Sequence, residues 1–140
     1  MFTSRYLPLC LALLLAPVAL SQTNSPWIGT WTDGTVTLSI TRTQVDRSYN
    51  PGQDRRWAWG SVDLGRLARE ILVKQGPQGF AANGLLNSSR LDFWLTYRED
   101  LPRTQCILVL DQETDTLQLY IRGFKLREVN KTLTLHRQEE

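Results

Sequence analysis

The chain has 140 residues, 16 Lys and Arg against 14 Asp and Glu, and 41% hydrophobic residues. Its length sets one domain, and its near-neutrality excludes a nucleic-acid binder that relies on counterion release. One histidine, His136, and two cysteines, Cys10 and Cys106, leave no histidine pair or cysteine cluster for a metal.

Met1 to Ser21 reads as a secretory signal. It carries one cation at Arg5, an apolar run from Leu7 to Leu20, and small residues at Ala19 and Ser21. The run is short for an anchor and no stop-transfer charges follow it. The mature chain is therefore expected to span 22–140, secreted or periplasmic, without a transmembrane segment. Its charges are then 15 basic (16 less Arg5) against 14 acidic. Cys106 is its only cysteine, so no internal disulfide can form and the domain stands on its core. Within the run Cys106-Ile107-Leu108-Val109-Leu110 it reads as a buried thiol, with an intermolecular disulfide as the alternative.

Gly29 to Ile40 reads as an opening hairpin. Asp33-Gly34 suits a two-residue turn, since both residues tolerate positive φ. Thr32 then faces Thr35, Thr30 faces Thr37, and Trp31 shares a side with Val36. One face is Gly29, Trp31, Val36, Leu38 and Ile40; the other is threonine and serine.

Thr41 to Gln53 turns polar and contains Tyr49-Asn50-Pro51-Gly52, a loop signal. Arg55-Arg56-Trp57-Ala58-Trp59-Gly60 alternates large and small residues, with Trp57 and Trp59 on one face and a small face that permits close approach of another backbone. From Asp63 the period changes. Leu64, Leu67, Ala68, Ile71 and Leu72 recur at helical spacing, Asp63 is an N-cap candidate, and Gly76-Pro77 stops the run, so one amphipathic helix is predicted over 64–74. Gly65 weakens its first turn.

Five strand-like segments follow at 80–86, 90–98, 105–111, 116–122 and 131–137, each bounded by turn residues. Asn83-Gly84 marks a further turn or a bulge. With the hairpin arms and the Trp57 segment they make eight strands joined in sequence. The expected fold is all-β, an eight-stranded antiparallel up-and-down barrel or curled meander with one inserted helix.

Gly29-Thr30-Trp31 in the first strand and Thr132-Leu133-Thr134-Leu135-His136-Arg137 in the last resemble the calycin signature, shared by lipocalins and avidins. The resemblance implies a barrel whose closed end is capped by Trp31, with Arg137 lying against it and Gly29 beside them, as structural residues. A guanidinium over an indole is a favourable contact. The avidin biotin site does not carry over, because Asp33 falls in the turn and Thr35 and Thr37 point away from Trp31.

No catalytic constellation emerges, and the chain is read as no enzyme. His136 alternates with Thr132 and Thr134 and belongs to the outer face; a Cys106–His136 pair lacks an orienting third group. Asp111, Glu113 and Asp115 alternate, but no turn glycine or closing glutamate makes them a calcium loop. No cofactor is expected. Asn87-Ser88-Ser89 and Asn130-Lys131-Thr132 are sequons whose use depends on the host.

The suggestive residues are aromatic. Trp57 and Trp59 stand beside Arg55 and Arg56, while Trp94 and Tyr120 fall opposite the core positions of their strands. Arg55, Trp57, Trp59, Trp94 and Tyr120 are the candidate binding residues. Either they form a recognition surface or they cover the helix and a second layer. Two functions follow. The leading one is non-catalytic binding of a small, largely apolar molecule in the barrel mouth. The alternative is a protein-interaction module, of inhibitor or adaptor type, using an exposed aromatic surface.

Overall fold

The computed structural model describes residues 25–47, 54–71, 73–95, 104–122 and 130–139. The expected signal segment and the Tyr49–Gly52 loop lie outside them, as do residues 96–98 of the fifth predicted strand.

Eight antiparallel strands close a barrel in sequence order. They are β1 (Gly29–Thr32), β2 (Thr37–Asp46), β3 (Arg55–Asp63), β4 (Gln78–Leu85), β5 (Arg90–Leu95), β6 (Thr104–Asp111), β7 (Thr116–Arg122) and β8 (Asn130–Arg137). A single helical turn, α1 (Leu67–Glu70), sits between β3 and β4. Alternation decides which side chains go inward. On β5, Leu91, Phe93 and Leu95 are buried while Trp94 is exposed. On β7, Leu117, Leu119 and Ile121 alternate with half-buried Gln118 and Tyr120. Phe80 and Phe93 stack at 4.4 Å between centroids. Each such fully buried side chain is worth about 1.5–3 kcal/mol relative to its exposed state.

The opening hairpin keeps the expected faces but not the expected register. Thr32 pairs with Thr37 and Thr30 with Ser39, so the connection is the four-residue Asp33–Val36 turn. Side chains dictate the extra length. The Asp33 carboxylate accepts from the Thr35 and Val36 N–H groups at 2.9 and 2.8 Å, and the Thr32 hydroxyl donates to the Val36 carbonyl at 2.8 Å. These bonds outcompete the two-residue turn.

Two more expectations are corrected. β2 runs through Thr41–Asp46, the stretch read as the start of a polar loop. A register shift between Ile40 and Arg42 reverses the parity there, so Arg42 and Gln44 pair with Trp59 and Trp57. The shift is possible because residue 60 is glycine, whose Cβ, if present, would overlap the Ser39 carbonyl oxygen. Asn83-Gly84 continues β4 in unbroken register with β3.

The predicted 64–74 helix shrinks to Leu67–Glu70. Gly65 takes φ +57°, which ends any helix on its N-terminal side, and Val73 returns to a bridge. Asp63 does not cap α1; it accepts from the Gly65 N–H at 2.9 Å, forming a turn ahead of the helix. Leu64, Leu67, Ala68, Ile71 and Val73 are still buried in the common core. This segment lies at the same end of the barrel as the Asp33–Val36 turn.

The barrel closes at the β1–β8 seam. Only Trp31↔Arg137 and Thr32↔His136 pair there, joined by a bond from the Gln138 N–H to the Thr30 carbonyl at 2.7 Å. Arg137 holds the seam with its side chain. Its Cζ lies 4.2 Å from the Trp31 ring centroid, its Nη groups donate to the Ile28 and Pro26 carbonyls at 2.5 and 2.7 Å, and its Nε donates to Asp115 at 2.9 Å. Trp31 Nε1 in turn donates to the Trp27 carbonyl at 3.1 Å. Gly29 is required beside this clamp, since a Cβ there would sit 2.5 Å from an Arg137 Nη.

Replacing Arg137 by Ala should lower the unfolding free energy by about 2–4 kcal/mol, since four interactions are lost and two carbonyls are left without donors. Arg137→Lys should recover less than half of that, because an ammonium cannot reach both carbonyls and stack at once. Urea unfolding of the two variants is the measurement. A loss under about 1 kcal/mol for Arg137→Ala would show that the backbone alone closes the seam.

Candidate functional site

Among the described residues, the middle of the barrel's inner face is closely packed. Trp31, Leu38, Ile40, Leu91, Phe93, Leu95, Leu108, Leu117, Leu119, Ile121 and Leu135 each expose no more than 1% of their surface. A chamber for a small molecule, on the order of 300 Å³ or more, would leave its lining side chains open to water. None of these eleven side chains is open in that way. A cleft of about 680 Å³ does lie outside, on the seam, lined by Gly29, Thr30, Arg137, Gln138 and Glu139. The cation it offers is the one already bound to Trp31, Asp115 and two carbonyls.

Two buried polar atoms lack partners: Trp27 Nε1 near the seam and the Thr104 hydroxyl at the start of β6. Thr104 is fully buried and stands opposite Leu95 on the inner face.

Cys106 also points inward, opposite Phe93 and Ile121, and is a free thiol. Burial in apolar surroundings pushes its pKa well above the usual thiol value. His136 is on the opposite, outer face of its strand and is exposed, so the two do not meet. Asp111 accepts from the Glu113 and Thr114 N–H groups, and Asp115, with φ 52°, turns to Arg137. These carboxylates shape a turn and hold the seam.

The outer wall of β3–β5 is where the aromatic candidates gather. Trp57 and Trp59 point outward and stack at 6.3 Å between centroids. Arg42, across the strand from Trp59, lies over that ring at 3.9 Å from its centroid. Trp59 pairs with Ala81 and Trp57 with Asn83. Asn83 pairs with Asp92; continuing that register by two residues sets Trp94 beside Ala81. Ala81 is thus a low point between two indole walls, about 10 Å apart at the backbone. Trp94 is 49% exposed, and Leu85, which pairs with Arg55, is 53% exposed.

The structure therefore brings Arg55, Trp57, Trp59 and Trp94 onto one wall. Tyr120 is also outward but sits two strands beyond Asp92, next to buried Ile107. Arg56 falls on the inner side of β3, opposite Val45 and Gly84. Sequence reasoning missed Leu85, although alternation with Phe80 and Ala82 marks it as outward. It missed Arg42 for a stronger reason, because the bulge after Ile40 breaks the parity that would have revealed it. Nothing in the residue string shows that break.

Compared with known proteins, the chain matches no family model, no curated protein and no solved structure. The reading of function therefore rests on the geometry of this wall and of the core behind it.

The Cys106 environment sets a reactivity and a pH dependence. Native protein at pH 8 should be alkylated by iodoacetamide far more slowly than unfolded protein, by a factor of about 100 or more. The sign of the pH effect follows from the raised folded-state pKa. Stability is intact below the unfolded thiol pKa, near 8.5, and falls as pH rises above it, because only the unfolded chain can ionise. A Cys106→Ala variant should lose this part of the alkaline slope. Equal alkylation of native and unfolded chains would show that the thiol is reachable.

Proposed function

We propose that this chain is an exported, non-catalytic binding protein, a calycin-like barrel that has turned its binding surface outward. In this reading it is a protein-interaction module of adaptor or inhibitor type, and the site is the wall of Trp57, Trp59, Leu85 and Trp94. The observation that carries the reading is Trp94: a half-exposed indole, set across Ala81 from a stacked tryptophan pair. Large apolar side chains left together in water are costly unless a partner covers them. Tryptophan and arginine are also the residues that dominate binding energy at protein interfaces. The packed interior supports the same reading by leaving the outer wall as the available surface.

A second reading keeps a small, largely apolar ligand in the barrel mouth, and the Thr104 hydroxyl is what favours it. A buried hydroxyl without a partner costs about 1–3 kcal/mol, and a ligand group arriving at the α1 end would satisfy it. Such a ligand would have to displace the α1 segment, since the core beneath is filled.

Two experiments separate the readings. A photo-crosslinker at Ala81 should trap a partner in cells that make the protein, while one at exposed Thr134 on another wall should not. Trp94→Ala should abolish the Ala81 adduct and change stability by less than about 0.5 kcal/mol. Equal adducts from both positions, or none from either, would sink the outer-wall reading. Separately, Thr104→Val should leave the ligand-free protein as stable or up to about 1 kcal/mol more stable, because it removes an orphaned hydroxyl. A loss of more than about 1 kcal/mol would mean that the hydroxyl already has a partner, and the second reading would lose its support.

A further inference from the structure

The charges around the tryptophan wall describe what the wall accepts. One outward row crosses six strands: Arg42, Trp59, Ala81, Trp94, Gln105 and Arg122. Each end is an arginine, and each indole lies one or two strands inside an arginine. The row spans five inter-strand steps, about 24 Å along the arc. Arg55 adds a third guanidinium two residues from Trp57 on the same face. The described ion pairs are Arg90–Asp92, Lys131–Glu70 and Arg137–Asp115, and none of them involves Arg42, Arg55 or Arg122.

The described carboxylates of this wall each have a partner. Asp92 is held by Arg90 at 2.9 Å, which also raises the Arg90 pKa, and Asp63 accepts from the Gly65 N–H. Asp46, opposite Arg55 in register, has a partner as well. The wall therefore presents an apolar centre with cations around it and spare capacity only for negative charge. Among the described residues Arg42, Arg55 and Arg122 enter no ion pair, and the planar fork of an arginine suits carboxylates.

Building on the outer-wall reading, we infer that the partner offers an extended acidic segment: carboxylates flanking an aromatic or aliphatic side chain. The apolar residue sits over Ala81 between Trp59 and Trp94, and the carboxylates reach Arg42 or Arg55 on one side and Arg122 on the other. At about 3.3 Å per residue, roughly seven extended residues cross the row. Three well-separated cations on a near-neutral chain are too few for a nucleic-acid track, which draws its affinity from many phosphates. The wall is also convex, so a flat bilayer would touch only its crest.

The test is selection of a displayed random-peptide library on the full folded protein, with Trp94→Ala and Arg42→Gln/Arg55→Gln/Arg122→Gln run in parallel. Sequences enriched on the wild type should combine Asp or Glu with an aromatic or aliphatic residue. The triple variant should bind a selected peptide at least about tenfold more weakly, and added salt should weaken the wild type in the same direction. Unfolding curves of both variants, close to wild type, would show that the fold is kept. Peptides that depend on Trp94 but lack acidic residues, or that the triple variant holds equally well, overturn the acidic inference and leave the outer wall standing as a site. No Trp94-dependent enrichment overturns both. Trp94-dependent binding to vesicles of phosphatidylcholine with phosphatidylglycerol, without peptide enrichment, overturns the peptide partner in favour of a lipid surface.

Discussion

The arrangement depends on one side chain meeting one ring. A barrel removes sheet edges only if its first and last strands join, and here they share two residue pairs. The guanidinium of Arg137 makes up the deficit. It stacks on Trp31, ties down the carbonyls of Pro26 and Ile28, and reaches Asp115 on the β6–β7 turn. Three segments distant in sequence, Pro26–Trp31, the β6–β7 turn and β8, are thereby joined through one planar cation. An arginine suits this task because its charge survives partial burial and its donors point in fixed directions. Trp31, fully buried, supplies the apolar bed on which that cation rests, and its Nε1 donates to the carbonyl of equally buried Trp27.

With the seam held, alternation does the remaining work of separating core from surface. The inner positions of β5, β6, β7 and β8 are dominated by leucine, with phenylalanine and isoleucine between, and they meet without leaving lining exposed. The α1 segment supplies Leu67, Ala68 and Ile71 to the same core, so the end that the turn of Asp33–Val36 leaves open is filled by an insertion rather than by longer strands. A chain of this length without a disulfide among its described residues can hold a single core because so little of it is spent on a cavity.

Much of this was legible in the residues. The 3.6-to-2 switch in period, the Gly-x-Trp opening and the leucine alternation of the later strands specify eight strands with one insertion. Parity also sets Trp57 and Trp59 on one face of their strand and Trp94 opposite the core positions of its own, without deciding whether the paired tryptophans face solvent. What escaped has physical causes. The carboxylate of Asp33 and the hydroxyl of Thr32 built a turn longer than Asp-Gly implies. A missing Cβ at Gly60 let β2 slip by one residue against β3, which carried Arg42 onto the tryptophan wall. Gly65 in a left-handed conformation cut a helix that periodicity alone would have drawn over 64–74. In each case a single local hydrogen bond or a steric absence outweighed a pattern spread over ten residues, and patterns average over such events.

β8 has one further property. It pairs with β7 over Asn130–His136 but meets β1 only at His136 and Arg137, so among the described residues the stretch from Asn130 to Leu135 has no strand on its other side. Lys131 stands within that stretch, 3.5 Å from Glu70 of α1. An exposed pair of this kind contributes almost nothing to folding free energy. Its value lies elsewhere: a charged lysine tethered over an unpaired ladder makes that ladder a poor template for a strand from another molecule. The open part of β8 is thereby guarded against pairing with another copy by a residue that stability measurements would pass over as neutral.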